Sequence, residues 1–242
     1  NLSMLIENPL LSFRFVESNR MTASRIRSKM KKHQHKILLV TSVMENEGKS
    51  TVAANIALAL SQENHNVLLI DGDFRKPAQY KIFEASEEHV VDLPEILAKQ
   101  EMSTDILHKY GKTRLYTLFN KESTTNLEYL LENGTLQKIL EFAREKMDYI
   151  IIDTSPLALV SDTEELAHLA DATVLVVRQD MVYAKDINDA IDALNQADGN
   201  VIGCVFNDAM TGITEHVKHY GYGSRYGYGH YGYGGQNGKR TD

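Results

Sequence analysis

The chain has 242 residues, 43% of them hydrophobic, with a formal net charge of −7 and a single cysteine. Length and apolar content support one large α/β domain with a real core, although length alone also allows two smaller ones. The acidic balance argues against general nucleic-acid binding, lone Cys204 excludes an intrachain disulfide framework, and no apolar run reaches the roughly 18–20 residues that span a bilayer. With no signal peptide visible, a soluble, intracellular location is the expectation.

Residues 10–31 carry a helical pattern marked by Leu10, Leu11, Phe13, Phe15, Val16 and Met21. It closes on the cations Arg25, Arg27, Lys29, Lys31 and Lys32. Such a run suits the C-terminal end of a helix, and it also offers a surface to anionic lipid or to the cytoplasmic end of a membrane partner.

The apolar run Ile37–Val40 predicts the first strand, and residues 42–51 follow it as Ser-Val-Met-Glu-Asn-Glu-Gly-Lys-Ser-Thr. An Ala/Leu helical pattern then fills 51–63. Strand, tight loop and helix in that order grip a nucleotide triphosphate, because loop N–H groups and the positive end of the helix dipole face the phosphates. The backbone of Asn46, Glu47, Gly48, Lys49, Ser50 and Thr51 forms this cradle. Lys49 can reach the β and γ phosphates, and the Ser50 hydroxyl can bind Mg²⁺. The strict G-x-x-x-x-G-K-[S/T] spacing lacks its first glycine, where Val43 stands. Asn46 tolerates left-handed backbone, so the loop can keep its shape, whereas Glu45 has to turn away from a polyanion.

Further apolar runs fall at Val67–Ile70, Leu115–Phe119, Tyr149–Ile152, Thr173–Val177 and Val201–Phe206. Amphipathic stretches at helical spacing separate them: Leu127–Leu131, Leu136–Lys146, Thr163–Leu169 and Ala184–Ala197. Short, continuous, Val/Ile-rich strands are buried on both faces, and Cys204 is expected as a buried strand thiol in the last of them. The alternation predicts an α/β fold with a doubly wound, mostly parallel sheet, helices on both faces, of P-loop NTPase type.

Ligands of such sheets bind beyond the carboxyl ends of the strands. There the second predicted strand runs into Asp71-Gly72-Asp73-Phe74-Arg75, and Tyr149–Ile152 runs into Asp153-Thr154-Ser155-Pro156. Asp71, Asp73 and Asp153 can hold Mg²⁺ directly or through its waters, and a carboxylate there can take a proton from an attacking hydroxyl. Their ordinary alternative is to cap the helices that follow. Arg75 can neutralise charge on a transferring phosphoryl group or orient the acids.

Residues 220–233 hold six tyrosines (Tyr220, Tyr222, Tyr226, Tyr228, Tyr231 and Tyr233) and five glycines. Glycine spacing without an aliphatic core predicts a flexible tail. The expected organisation is an N-terminal helical segment at 1–34, a P-loop domain at 35–215 and the tail at 216–242.

Taken in order, Lys-Ile-Leu-Leu-Val-Thr-Ser…Glu-Gly-Lys-Ser-Thr, Leu-Leu-Ile-Asp-Gly-Asp-Phe-Arg-Lys-Pro and Tyr-Ile-Ile-Ile-Asp-Thr-Ser-Pro resemble the Walker A, A′ and B motifs of the bacterial protein-tyrosine kinases of capsule and exopolysaccharide synthesis. The resemblance implies MgATP as cofactor and a protein-tyrosine autokinase whose tail tyrosines are the substrate. It implies Asp71 as base toward the tyrosine hydroxyl, with Ser50, Asp73 and Asp153 expected around the metal. Asn207, at the end of the last predicted strand, is a candidate adenine contact or equally a simple strand-end turn residue. The resemblance also implies ring-shaped homo-oligomers joined through a Glu-x-x-Arg-x-x-Arg helix, a transmembrane polysaccharide co-polymerase as activator, and a place at the inner face of the membrane. Here Glu17 and Arg20 are present, but Ala23 stands at the second arginine. The usual Asp-Thr-Pro-Pro reads Asp-Thr-Ser-Pro. The related septum-site and partition ATPases carry a second lysine where this chain has Met44, so a MinD/ParA-like switch is the rival reading. A polysaccharide-assembly scaffold with a vestigial ATP site is the other.

Overall fold

The computed structural model describes residues 3–85, 92–101, 103–124, 127–157 and 162–209. Asn1–Asp208 form one compact unit, and Ala209–Asp242 are assigned to a second, so all six tail tyrosines lie outside the described residues. The N-terminal helix α1 (Phe13–Lys32) precedes β1 (Ile37–Ser42), α2 (Lys49–Gln62), β2 (Val67–Gly72) and the one-turn α3 (Gln79–Ile82). After α4 (Leu93–Lys99) come the two-residue β3 (His108–Lys109), β4 (Leu115–Leu118), α5 (Leu127–Glu132) and α6 (Thr135–Lys146). The unit closes with β5 (Tyr149–Thr154), α7 (Asp162–Leu169), β6 (Ala172–Arg178), α8 (Ala184–Gln196) and β7 (Val201–Asn207).

The seven strands lie in the order β3-β4-β2-β5-β1-β6-β7, parallel throughout except for the antiparallel β3–β4 pair. Every residue of β1, β2 and β5 is buried, as the unbroken apolar runs require. Alternate side chains feed two cores. Ile37, Leu39, Leu68 and Ile150 pack with Leu97, Leu130, Leu140, Leu166 and Leu194 of α4 to α8. Leu38, Val40, Leu69 and Ile151 face Ala23, Ile26 and Met30 of α1 and the run Val52–Leu60 of α2. α2 is apolar nearly all round because the sheet lies on one side of it and α1 on the other. Its one buried amide, Asn55, staples the N-terminal segment: the Ile6 N–H donates to Asn55 Oδ1 at 2.8 Å, and Asn55 Nδ2 donates to the Met4 carbonyl at 2.9 Å.

Three features depart from the sequence reading. α3, α4 and β3 are too short to show a period. Helix α2 begins two residues early, at Lys49, because Gly48 takes a left-handed φ of +86° as its N-cap. Cys204, expected buried, is exposed, because β7 is an edge strand and most of it is incompletely covered. In α1, Glu17 pairs with Arg20 at 3.1 Å and Arg27 with Glu63, Lys29 donates to the Ile202 carbonyl, and Ala23 is fully buried against α2. An arginine at position 23 has no room in that packing.

At the opposite end of the sheet from the phosphate loop, Asp171 ties three elements together. Its Oδ2 accepts from the N–H groups of Lys36 (2.7 Å) and Ile37 (2.8 Å), and its carboxylate receives both terminal nitrogens of Arg144. Burial alone would raise its pKa, but Arg144 and the two N–H groups outweigh burial and hold it below the usual carboxylate range. A depressed carboxyl adds stability above its unfolded pKa and loses it as pH falls through the folded value. Asp171→Asn is therefore expected to cost about 2 kcal/mol at neutral pH. In thermal melts the gap to the wild type should close below about pH 4; a gap constant with pH would rule out the charged latch.

Candidate active site

The order β2-β5-β1 at the sheet centre sets the carboxyl ends of three motif-bearing strands side by side, with Asp71 opposite Asp153 in register. The loop between β1 and α2 curls over this edge. Asn46 takes φ +65°, as its residue type allows, and Gly48 follows at +86°. Gly48 also has no space for a Cβ, which would sit 2.2 Å from Asn207 Nδ2. Asn207 comes from the end of β7 and donates to the Glu47 carbonyl at 2.9 Å, so in this structure it braces the loop. The Glu47 side chain is buried and turned inward. Its two oxygens accept from the N–H groups of Met44 (2.6 Å) and Arg178 (3.1 Å). Glu45 pairs with Lys76 at 2.7 Å, and both stay on the cavity wall, so the negative charge of Glu45 beside the loop is offset by that lysine.

Asn46, Gly48, Lys49, Ser50, Thr51, Asp73 and Arg75 line one cavity of about 520 Å³, joined by Lys76, Ile82 and Ser155 among others. Lys49 Nζ donates to Asp73 Oδ2 at 2.8 Å and lies 4.0 Å from Asp153 Oδ1. Burial would lower the Lys49 pKa, yet the charges of Asp153, Asp73 and Asp71 and the bond to Asp73 leave it raised, so it stays an ammonium. Asp71 and Asp153 are fully buried behind this wall. Asp71 accepts from the N–H groups of Ala78 (3.0 Å) and Gln79 (2.9 Å) through Oδ2 and of Asp73 (3.2 Å) through Oδ1. It thus ties down the start of α3, the ordinary role open to such an aspartate. Burial and the Asp153 charge push its pKa well up, against those N–H groups. Burial also raises Asp153, opposed by Lys49, Gln79 and Ser50.

Two residues escaped the sequence reading. Gln79 Nε2 donates to both the Ser50 carbonyl and Asp153 Oδ2, each at 2.9 Å, so one amide joins all three motifs when its N–H to Asp71 is counted. Ser155 donates to Asp73 Oδ1 at 2.7 Å. Neither residue type announces itself in one sequence, because both act through contacts made across the sheet.

Three carboxylates balanced by one lysine leave room for a cation. Asp153 Oδ1 is buried without a hydrogen-bond partner, and the nearby donors are the hard oxygens that Mg²⁺ prefers. The residues fit the ion. Among the described residues no group of three His, Cys, Asp or Glu side chains forms a dedicated metal cage.

Strand, glycine-lysine-serine loop and helix at the carboxyl edge of a parallel sheet, faced by acids of the two neighbouring strands, define a P-loop nucleotide-binding protein. A family model described as ParA, NUBPL iron-transfer P-loop NTPase, matches residues 33–225. The chain is 32% identical over 195 residues to the tyrosine-protein kinase CpsD of Streptococcus pneumoniae, covering 79% of this chain and 84% of CpsD. It is 27% identical over 207 residues to the tyrosine-protein kinase Etk of Escherichia coli K12, covering 86% of this chain but only 28% of Etk. The solved kinase domain of E. coli Etk superposes with a TM-score of 0.75 at 25% identity, over 93% of this chain and 83% of that one. The chain belongs to the bacterial tyrosine-kinase family, built on a P-loop NTPase fold of ParA type.

Glu47 does not touch the cavity, so its importance lies in holding the loop. Glu47→Ala is expected to cost about 2–4 kcal/mol through two unpaired N–H groups. It should also weaken binding of a fluorescent ATP analogue, measured by titration. Wild-type affinity in that variant would show that the loop does not depend on this staple.

Proposed function

We propose that this protein is an ATP-dependent protein-tyrosine autokinase. Its reading rests above all on Lys49, Asp73 and Arg75 meeting at one cavity wall. Lys49 and the loop N–H groups would bind the triphosphate, and Ser50, Asp73 and Asp153 would hold Mg²⁺, whose contribution would be charge neutralisation at the phosphates. A tyrosine oxygen forms a bond to the γ-phosphorus, the bond to the β–γ bridging oxygen breaks, and ADP leaves. The tyrosine proton passes to a carboxylate. Asp71 is the base that the family pattern nominates. The role requires α3 to release an N–H bond, because both Asp71 oxygens are engaged. Arg75, on the cavity wall, offsets charge on the transferring group.

The substrate is the cluster Tyr220, Tyr222, Tyr226, Tyr228, Tyr231 and Tyr233, phosphorylated between subunits of a homo-oligomer. A transmembrane activator of polysaccharide assembly is the partner, and control of capsule or exopolysaccharide synthesis is the output. With Ala23 buried, any ring uses a contact other than a second arginine at that position. No helix among the described residues is long and apolar enough to cross a membrane. Against the switch-ATPase reading stands Met44, an uncharged side chain at the second-lysine position, 44% exposed.

Purified protein incubated with MgATP and mapped by mass spectrometry is expected to carry phosphotyrosine within residues 220–233. Lys49→Met should abolish it, by at least about a hundredfold. Phosphate release without phosphotyrosine would identify a switch ATPase, and neither product a scaffold.

A further inference from the structure

Ser155 stands where the family pattern has proline, and it is the only departure in the three motifs that touches an acid of the site. Its backbone is pinned: the Ser155 carbonyl accepts from Thr41 Oγ1 and Thr163 Oγ1, each at 2.9 Å. With the residue only 3% exposed, its hydroxyl is held against Asp73 Oδ1 at 2.7 Å. That same oxygen accepts from the Lys76 N–H at 3.0 Å, while Oδ2 faces Lys49. Two neutral donors thus occupy one oxygen of Asp73 and turn the other toward the phosphate-binding lysine.

We infer that Ser155 is a positioning residue that fixes the Asp73 carboxylate for the metal–nucleotide complex. Without this donor Oδ1 keeps only the Lys76 N–H and Oδ2 only Lys49, so one of the three contacts that fix the last torsion of the carboxylate is lost and its orientation loosens. The role rests on the nucleotide site proposed above, but it concerns metal-dependent binding and not phosphotransfer.

The test titrates a fluorescent ADP analogue into the full chain, once with Mg²⁺ and once with EDTA. Ser155→Ala removes only the hydroxyl and leaves the carbonyl contacts of Thr41 and Thr163. It is expected to weaken binding about tenfold in Mg²⁺ and not at all in EDTA. In an Asp73→Asn background the same substitution should change nothing further, as for two residues acting through one contact. Equal losses with and without Mg²⁺, full affinity in Mg²⁺, or additive losses with Asp73→Asn would each overturn the role. A wild type that binds Mg-nucleotide yet makes no phosphotyrosine would sink the kinase reading and leave Ser155 standing. A wild type that phosphorylates itself, while Ser155→Ala keeps full Mg²⁺ dependence, would do the reverse.

Discussion

One ammonium among three carboxylates is the constraint around which the molecule is arranged. Lys49 sits 2.8 Å from Asp73 and 4.0 Å from Asp153, and Asp71 lies behind them, the four groups coming from the ends of β1, β2 and β5. Left alone, so much negative charge out of water would be costly. The fold meets the cost with donors instead of countercharges: backbone N–H groups on Asp71, the Gln79 amide on Asp153, the Ser155 hydroxyl on Asp73. What those donors leave uncovered is an orphaned oxygen on Asp153, in the direction of the lysine. That oxygen faces the place where the cation of the proposed nucleotide complex would add positive charge.

That constraint also explains why the sheet has this order. The parallel arrangement with β5 between β1 and β2 brings all three acids and the loop to one edge. Full burial of these three strands keeps the edge rigid, so small side-chain contacts such as that of Ser155 decide orientation.

The sequence made the strands, the long helices and the loop legible because unbroken Val/Ile runs and a glycine-lysine-serine turn are local signals. Asn46 could be foreseen in left-handed backbone for the same reason. What stayed hidden is non-local. Gln79 and Ser155 look like ordinary loop and helix residues until the sheet brings them to Asp153 and Asp73. Glu47 reads as part of a phosphate cradle, yet its carboxylate turns inward to staple Met44 and Arg178. Cys204 reads as buried because its strand is apolar, and one sequence does not mark a strand as an edge.

The bond from Asn207 to the Glu47 carbonyl has a mechanical meaning. It makes the outermost strand and the phosphate loop one truss, with Gly48 wedged where no further atom fits. A force applied at the end of β7 is therefore delivered to the loop by two short routes, through Asn207 directly and through Asp208, Arg178 and the Asn46 carbonyl. Strain at the rim and grip on phosphate are two readings of the same lever.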